Sequence, residues 1–237
     1  MKAVILAGGL GVRLQPFTQI IPKPLLPIGE SSVLEIQIHS LAKCGFNEIY
    51  IATNYKADYV QAFLGDGSSY DVNITFSKEE KPLGTCGPLS LLKDHLDEPF
   101  LMMNGDILTT MDFKKGYQFA LNVDSSMVVG TKNIVIPFNF GKVVCENDYI
   151  VGIQEKPDFT HEILAGIYYF KPDILDMIPS GEYYGIDMLI KDLLEKNMKI
   201  SKYTIEEYWL DIGQVGDYQN AQTIYDTHFS NLKKGSE

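Results

Sequence analysis

The sequence predicts an α/β fold: an open, mostly parallel sheet with helices on both faces. Three observations carry that expectation. Ala3 to Ala7 is a short apolar run ending on Gly8 and Gly9, the pattern of a buried strand entering a turn. Beyond it, short apolar runs alternate with longer amphipathic stretches in a βαβαβ rhythm. The 237 residues are 45% hydrophobic and 22% charged, the balance of an ordinary globular protein with room for one large domain.

The elements follow in order. Val33 to Ala42 places Val33, Leu34, Ile36, Ile38 and Leu41 on a helical face after a Ser31/Ser32 cap. Glu48 to Ala52 reads as a strand, Tyr55 to Leu64 as a helix, and Val72 to Phe76 as an alternating strand. Pro99 to Met103 is a buried run ending in Asn104-Gly105-Asp106. Asp112 to Leu121 reads as a helix and Ser126 to Gly130 as a strand. The second half is richer in β structure. Lys142 to Cys145 and Tyr149 to Gln154 flank a turn at Glu146-Asn147-Asp148. Ile163 to Phe170 is β-prone, Pro172 to Ile178 and Ile186 to Lys196 are helical, and Tyr208 to Ile212 is a short strand. Val215 to Phe229 is a terminal helix, followed by a polar, frayed tail over 230–237.

Composition excludes several functions. Lys plus Arg number 20 and Asp plus Glu 31, a net charge of −11. Such a chain has no general attraction for nucleic acid or an anionic membrane, so any anionic partner must be held by a few placed cations. Cys44, Cys86 and Cys145 are widely spaced and odd in number, which argues against a disulfide framework or a zinc site. The N-terminal apolar run is too short for a signal sequence, and no run is long enough to span a bilayer, so we expect a cytoplasmic location.

The first strand feeds Gly8-Gly9-Leu10-Gly11-Val12-Arg13-Leu14. A glycine loop at the carboxyl end of a first strand is where open α/β sheets bind phosphate, because glycine admits positive φ and lets N–H groups approach an oxyanion. Leu14 stands where a dinucleotide loop needs its third glycine, and no Gly-Lys-Ser/Thr of a P-loop follows. Arg13 and Lys23, the latter stiffened between Pro22 and Pro24, add a fork and a point charge suited to a polyphosphate.

Ala7 to Thr18, followed by Pro22-Lys23-Pro24-Leu25-Leu26-Pro27-Ile28, resembles the signature of the sugar-1-phosphate nucleotidyltransferases, also called nucleoside-diphosphate-sugar pyrophosphorylases. The resemblance implies a Rossmann-like mixed sheet with a small β-rich sugar-binding portion in the second half. It implies that Leu6, Ala7, Gly8, Gly9 and Gly11 hold the nucleotide, that Arg13 stabilises the transferring phosphate and departing pyrophosphate, and that Lys23 contacts phosphate oxygens.

Lys78-Glu79-Glu80-Lys81-Pro82-Leu83-Gly84-Thr85-Cys86-Gly87-Pro88 resembles the guanylyltransferase branch, such as the mannose- and heptose-1-phosphate enzymes, where the matching stretch, including Pro82, Gly84 and Thr85, runs along the base. Carboxylates only accept hydrogen bonds. Guanine offers two adjacent donors, N1–H and the 2-amino group, whereas uracil and thymine flank one N–H with carbonyl oxygens. A glutamate here therefore favours GTP. Alignment prefers Glu80, with Glu79 second.

Asp106, in Asn104-Gly105-Asp106, and Asp211, in Trp209-Leu210-Asp211-Ile212-Gly213, correspond by resemblance to the ligands of one catalytic Mg²⁺. Asp106 would also border the sugar phosphate. Glu155-Lys156-Pro157 resembles a motif in which Glu155 accepts from sugar hydroxyls and Lys156 binds the sugar phosphate. Gly141, Gly166 and Asp187 complete the expected sugar side. Leu164 stands where many relatives carry Asn, which implies an altered or roomier sugar pocket.

The expected reaction transfers a nucleoside monophosphate, GMP by preference, from a nucleoside triphosphate to a sugar 1-phosphate, giving an NDP-sugar and pyrophosphate for surface glycan precursors. CTP or UTP/dTTP as donor, or a metal-dependent glycosyltransferase of similar fold, are the alternatives. Larger guanylyltransferases add a left-handed β-helix domain, for which this sequence has no segment, so 1–237 is expected to be a single catalytic domain. A homodimer is expected from the relatives.

Overall fold

The structure, a computed structural model, describes residues 1–232. Thirteen strands and six α-helices are present among them. In chain order they are β1 (Lys2–Leu6), α1 (Phe17–Ile20), β2 (Pro27–Ile28), β3 (Ser31–Ser32), α2 (Val33–Lys43), β4 (Glu48–Thr53), α3 (Ala57–Leu64) and β5 (Asn73–Lys78). Then come β6 (Phe100–Asn104), β7 (Ile107–Thr109), α4 (Phe113–Asn122), β8 (Met127–Pro137), β9 (Lys142–Glu146), β10 (Tyr149–Gln154) and β11 (Asp158–Phe170). The chain continues through α5 (Ile186–Glu195), β12 (Ile200–Thr204), β13 (Trp209–Asp211) and α6 (Val215–His228).

Seven strands form the main sheet in the order β12-β8-β11-β6-β1-β4-β5. β1 pairs in parallel with both β4 and β6, and only β11 runs against its neighbours. The chain leaves β1 toward β4 and β5, then returns to β6 on the other side. The strand order thus reverses at β1, and the crevice at its carboxyl end is where open α/β sheets bind ligands.

Strand periodicity explains the layers. Ala3 and Ile5 of β1, with Leu101 and Met103 of β6, face a core closed by Leu34, Ile38 and Leu41 of α2, Val60 and Leu64 of α3, and Phe113 and Tyr117 of α4. Val4, Phe100 and Met102 point the other way, onto Leu89, Leu92, Leu189 and Leu193. Full burial of each such side chain contributes about 1.5–3 kcal/mol. A third core, with Leu14, Leu108, Ile212, Ala221 and Tyr225, holds α6 beneath the glycine loop. The expected serine cap is Ser32, whose Oγ accepts from the Glu35 N–H while Glu35 accepts from the Ser32 N–H.

Several boundaries differ from the sequence reading. α3 begins at Ala57, not Tyr55, because Lys56 is left-handed (φ 54°), its ammonium donating to the Gln19 and Ile20 carbonyls at 2.6 Å. β8 runs to Pro137 and β11 starts at Asp158, because their outer halves pair with each other beyond the sheet. That long-range pairing builds an arm that also carries the β9–β10 hairpin. β12, absent from the sequence expectations, forms by pairing in parallel with β8. Pro172–Met177 is a 3-10 segment. Of the expected tail, Ser230–Leu232 forms a 3-10 turn, and 233–237 lie outside the described residues. Among the described residues, no helix is long and apolar enough to cross a membrane.

Candidate functional site

Two adjoining cavities of about 240 and 400 Å³ lie at the carboxyl end of β1, sharing Leu6, Gly9 and Asp106. The smaller is walled by Gly11, Val12, Arg13, Lys23, Pro24, Gly105 and Gly213. The larger is walled by Gly8, Leu10, Asn54, Glu79, Pro82, Leu83, Gly84, Thr85, Pro88, Asn104 and Tyr183. Ala7 is buried behind the loop, its N–H donating to the Ala52 carbonyl at 2.8 Å.

Gly11 turns the loop with φ 61°, where a Cβ would lie 2.7 Å from Thr18 Cγ2. The Thr18 hydroxyl donates to the Gly11 carbonyl at 2.7 Å and fixes the turn. Gly213 lies against Arg13, whose guanidinium nitrogens are 3.5 and 3.6 Å from where a Cβ on Gly213 would stand.

The charged centre joins distant parts of the chain. β13 pairs antiparallel with β7, setting Asp211 opposite Ile107, and the Ile212 N–H donates to the Asp106 carbonyl at 3.0 Å. The Lys23 ammonium is ion-paired with Asp106 Oδ2. Asp106 Oδ1 is buried without a hydrogen-bond partner among the described residues. Burial, then the charge of Asp106, push the Asp211 carboxyl above its ordinary value, while Lys23 and Arg13 pull it down. A buried, unsatisfied carboxylate oxygen beside a second carboxylate is costly alone and is relieved by a cation. Two aspartates with room for phosphate oxygens suit a hard divalent ion such as Mg²⁺. Among the described residues there is no cluster of three or more His, Cys, Asp or Glu to hold a metal otherwise.

The larger cavity is walled by a stapled loop. The Cys86 and Gly87 N–H groups donate to the Tyr184 carbonyl at 2.9 and 3.0 Å, and the Tyr184 N–H returns a bond to Leu83 at 2.8 Å. The Thr85 hydroxyl accepts from the Ile186 N–H at 2.6 Å. Glu79 Oε2 accepts from the Leu83 N–H at 2.9 Å, and Oε1 lies 3.1 Å from where a Cβ on Gly8 would stand. Burial raises the Glu79 pKa, and the Leu83 bond partly opposes this.

A family model described as nucleotidyl transferase matches residues 2–228. The chain belongs to the nucleotidyl transferase family. Mannose-1-phosphate guanyltransferase of Schizosaccharomyces pombe is 35% identical over 245 residues, covering 99% of this chain and 66% of that protein. Its counterpart in Candida albicans is 33% identical over 239 residues, 97% of this chain and 66% of that protein. The chain thus spans about two thirds of the length of these curated relatives. Among solved structures, HddC from Yersinia pseudotuberculosis matches with a TM-score of 0.75 at 26% identity, covering 94% of this chain and 99% of that one. The same protein, complexed with GMP-PN, matches with a TM-score of 0.73 at 25% identity, 94% of this chain and 99% of that one.

In this nucleotidyl transferase the expected nucleotide residues line the two cavities, except Ala7, buried behind the loop, and Glu80. Glu80 is exposed and outside the cavity, whereas Glu79 is 8% exposed and forms its wall. The Leu83 N–H holds the Glu79 carboxylate inward, and the chain bends at Glu80 just after it. The expected sugar residues divide. Gly166 backs the cleft: at φ 70°, a Cβ there would come 2.8 Å from Asn104 Nδ2. Gly141 and Glu155 are neighbours on the arm, with Glu155 Oε2 3.3 Å from the Gly141 Cβ position, and Lys156 is exposed after them at φ 44°. Asp187 is exposed in the first turn of α5, 4.0 Å from Lys191. None of Gly141, Glu155, Lys156 or Asp187 lines the two cavities. The sequence reading did not single out Asn54 or Tyr183. Asn54 follows the carboxyl end of β4, the strand paired with β1, which was the available signal. Tyr183 is brought in by the stapled loop and had none.

Proposed function

We propose that this nucleotidyl transferase transfers a nucleoside monophosphate, GMP by preference, from a nucleoside triphosphate to a sugar 1-phosphate. The observation that carries this reading is the Asp106–Asp211 pair beside Lys23 at the mouth of the glycine loop. It sets a cation site next to a polyphosphate cradle. The guanyltransferase relatives and the GMP-PN complex of HddC support the class of reaction and of base.

A sugar phosphate oxygen attacks the α-phosphorus, the bond to the β-phosphate oxygen breaks, and pyrophosphate leaves. The chain supplies alignment and positive charge rather than a nucleophile. Leu6, Gly8, Gly9 and Gly11 receive the nucleotide along the loop. Arg13 balances the charge that gathers on the leaving pyrophosphate, and Lys23 holds a phosphate oxygen. Pro82, Gly84 and Thr85 shape the base pocket, and Glu79 accepts from guanine N1–H and its 2-amino group. Asp106 and Asp211 would hold Mg²⁺, which supplies Lewis-acid stabilisation of the phosphate oxygens. Glu155, Lys156 and Gly141 on the arm, Gly166 behind the cleft and Asp187 in the first turn of α5 remain our assignment for the sugar phosphate. Residues 1–237 act as one catalytic domain, and dependence on nucleoside triphosphate supports a cytoplasmic location.

Pyrophosphate release from GTP, CTP, UTP, dTTP and ATP, each against a panel of sugar 1-phosphates, tests the proposal. Release with GTP should exceed the others. Release of a nucleoside diphosphate from a nucleotide sugar, without pyrophosphate, would overturn it.

A further inference from the structure

Gln37 is a polar exception on the inner side of α2. Val33, Leu34, Ile36, Ile38 and Leu41 of that helix are buried apolar side chains, and Gln37 among them is only 2% exposed. Its Nε2 donates to the Asn104 carbonyl at 2.9 Å and to the Ile107 carbonyl at 2.8 Å. These two carbonyls flank Gly105-Asp106, the turn between β6 and β7. One side-chain amide thus clips both ends of the turn that carries Asp106.

The clip is kept at a local cost. Gln37 Oε1 is buried without a hydrogen-bond partner among the described residues. A buried acceptor left unsatisfied is destabilising, yet a flipped amide would set that oxygen against both carbonyl oxygens. The turn therefore dictates how the amide points. An apolar side chain would escape the cost at Oε1 but would strand the two carbonyls.

The remaining bonds of the turn show what the clip completes. The Gly105 N–H donates to the Leu6 carbonyl at 2.9 Å, and the Asp106 carbonyl accepts from the Ile212 N–H at 3.0 Å. A Cβ on Gly105 would come 2.6 Å from the Leu6 oxygen, so the turn sits directly on the end of β1. β1 and the segment after β13 hold the middle of the turn, and α2 holds its ends. The Asp106 carboxylate, ion-paired with Lys23, is aimed from a backbone fixed on three sides.

We infer that Gln37 is a positioning residue for Asp106: its amide sets the placement of that carboxylate for the reaction without touching substrate. The inference rests on the role in the reaction proposed above for Asp106.

Hydrogen–deuterium exchange of the full chain, together with steady-state turnover, tests it. Gln37→Met keeps a side chain of similar size and removes both donors. Amide exchange across 104–107 should quicken about tenfold or more. The kcat of pyrophosphate release from GTP should fall about tenfold or more, while KM for GTP and the preference for GTP over UTP stay within about threefold of the parent. Val60→Ala, which opens a cavity in the same core from α3, should lower the melting temperature without that loss of kcat. Should Gln37→Met fail to fold, Gln37→Asn keeps an amide that is one methylene shorter and so withdrawn from the carbonyls, and the same losses are expected. A folded Gln37 variant with parental exchange at the turn or parental kcat would overturn the inference, as would an equal kcat loss in Val60→Ala. Asp106→Asn working at the parental rate would instead overturn the reading of the site, so the two failures are told apart.

Discussion

Asp106 and Asp211 are neighbours because β7 and β13 pair antiparallel, with the Ile212 N–H donating to the Asp106 carbonyl at 3.0 Å. This single ladder joins the nucleotide half of the chain to its end. It concentrates negative charge that Lys23 and Arg13 offset. Asp106→Asn keeps the side-chain shape and removes one charge. Pyrophosphate release should fall about a hundredfold or more, while the far-UV circular dichroism spectrum stays that of the parent. A variant working at the parental rate would remove Asp106 from the reaction.

Glu79 joins stability to base choice. Burial raises its pKa from the ordinary 4.5. The native state therefore binds this proton more tightly than the unfolded chain. Stability falls as pH rises from about the unfolded value through the raised native one, and above that window the full cost of burying the charge is present. Glu79→Gln keeps an oxygen for the Leu83 N–H and cannot ionise. Its melting temperature should exceed the parent's at neutral pH, with the gap closing below about pH 4. In competition, its preference for GTP over UTP should drop about tenfold, since an amide cannot accept from both guanine donors. Equal melting curves across pH would mean that the carboxylate carries no burial cost. An unchanged preference would mean that it does not read the base.

Cys86 packs rather than reacts. It is fully buried, and burial pushes its thiol up to about 12. Cys145 on β9 is exposed. A thiol reagent in mildly alkaline buffer should modify Cys145 within minutes, a phase abolished by Cys145→Ser, and reach Cys86 only after denaturant is added. Rapid modification of Cys86 in the native protein would contradict the packing described around it.

Much of the site was legible because it depends on local chemistry. A glycine loop after a buried strand, a cation between prolines, and aspartates at the ends of apolar runs are each readable over a few residues. The strands of the main sheet were legible for the same reason, since alternation of Val4 against Ala3 and Ile5 is written in consecutive positions. The β9–β10 hairpin at the end of the arm was legible too, but the outer parts of β8 and β11 were not, because 131–137 and 158–162 are placed as strand by pairing with each other across a long separation.

The sequence by itself determined the α/β class, the phosphate loop and the residue types of the charged centre, since backbone geometry and side-chain chemistry act at short range. Only the tertiary structure decided that Asp106 meets Asp211, that Glu79 rather than Glu80 faces the cleft, and that the expected sugar residues Glu155 and Lys156 sit out on the arm. Those outcomes turn on strand pairing between distant segments and on the Leu83 N–H bond that holds Glu79 inward. In β structure, a shift of one position changes the facing of every side chain.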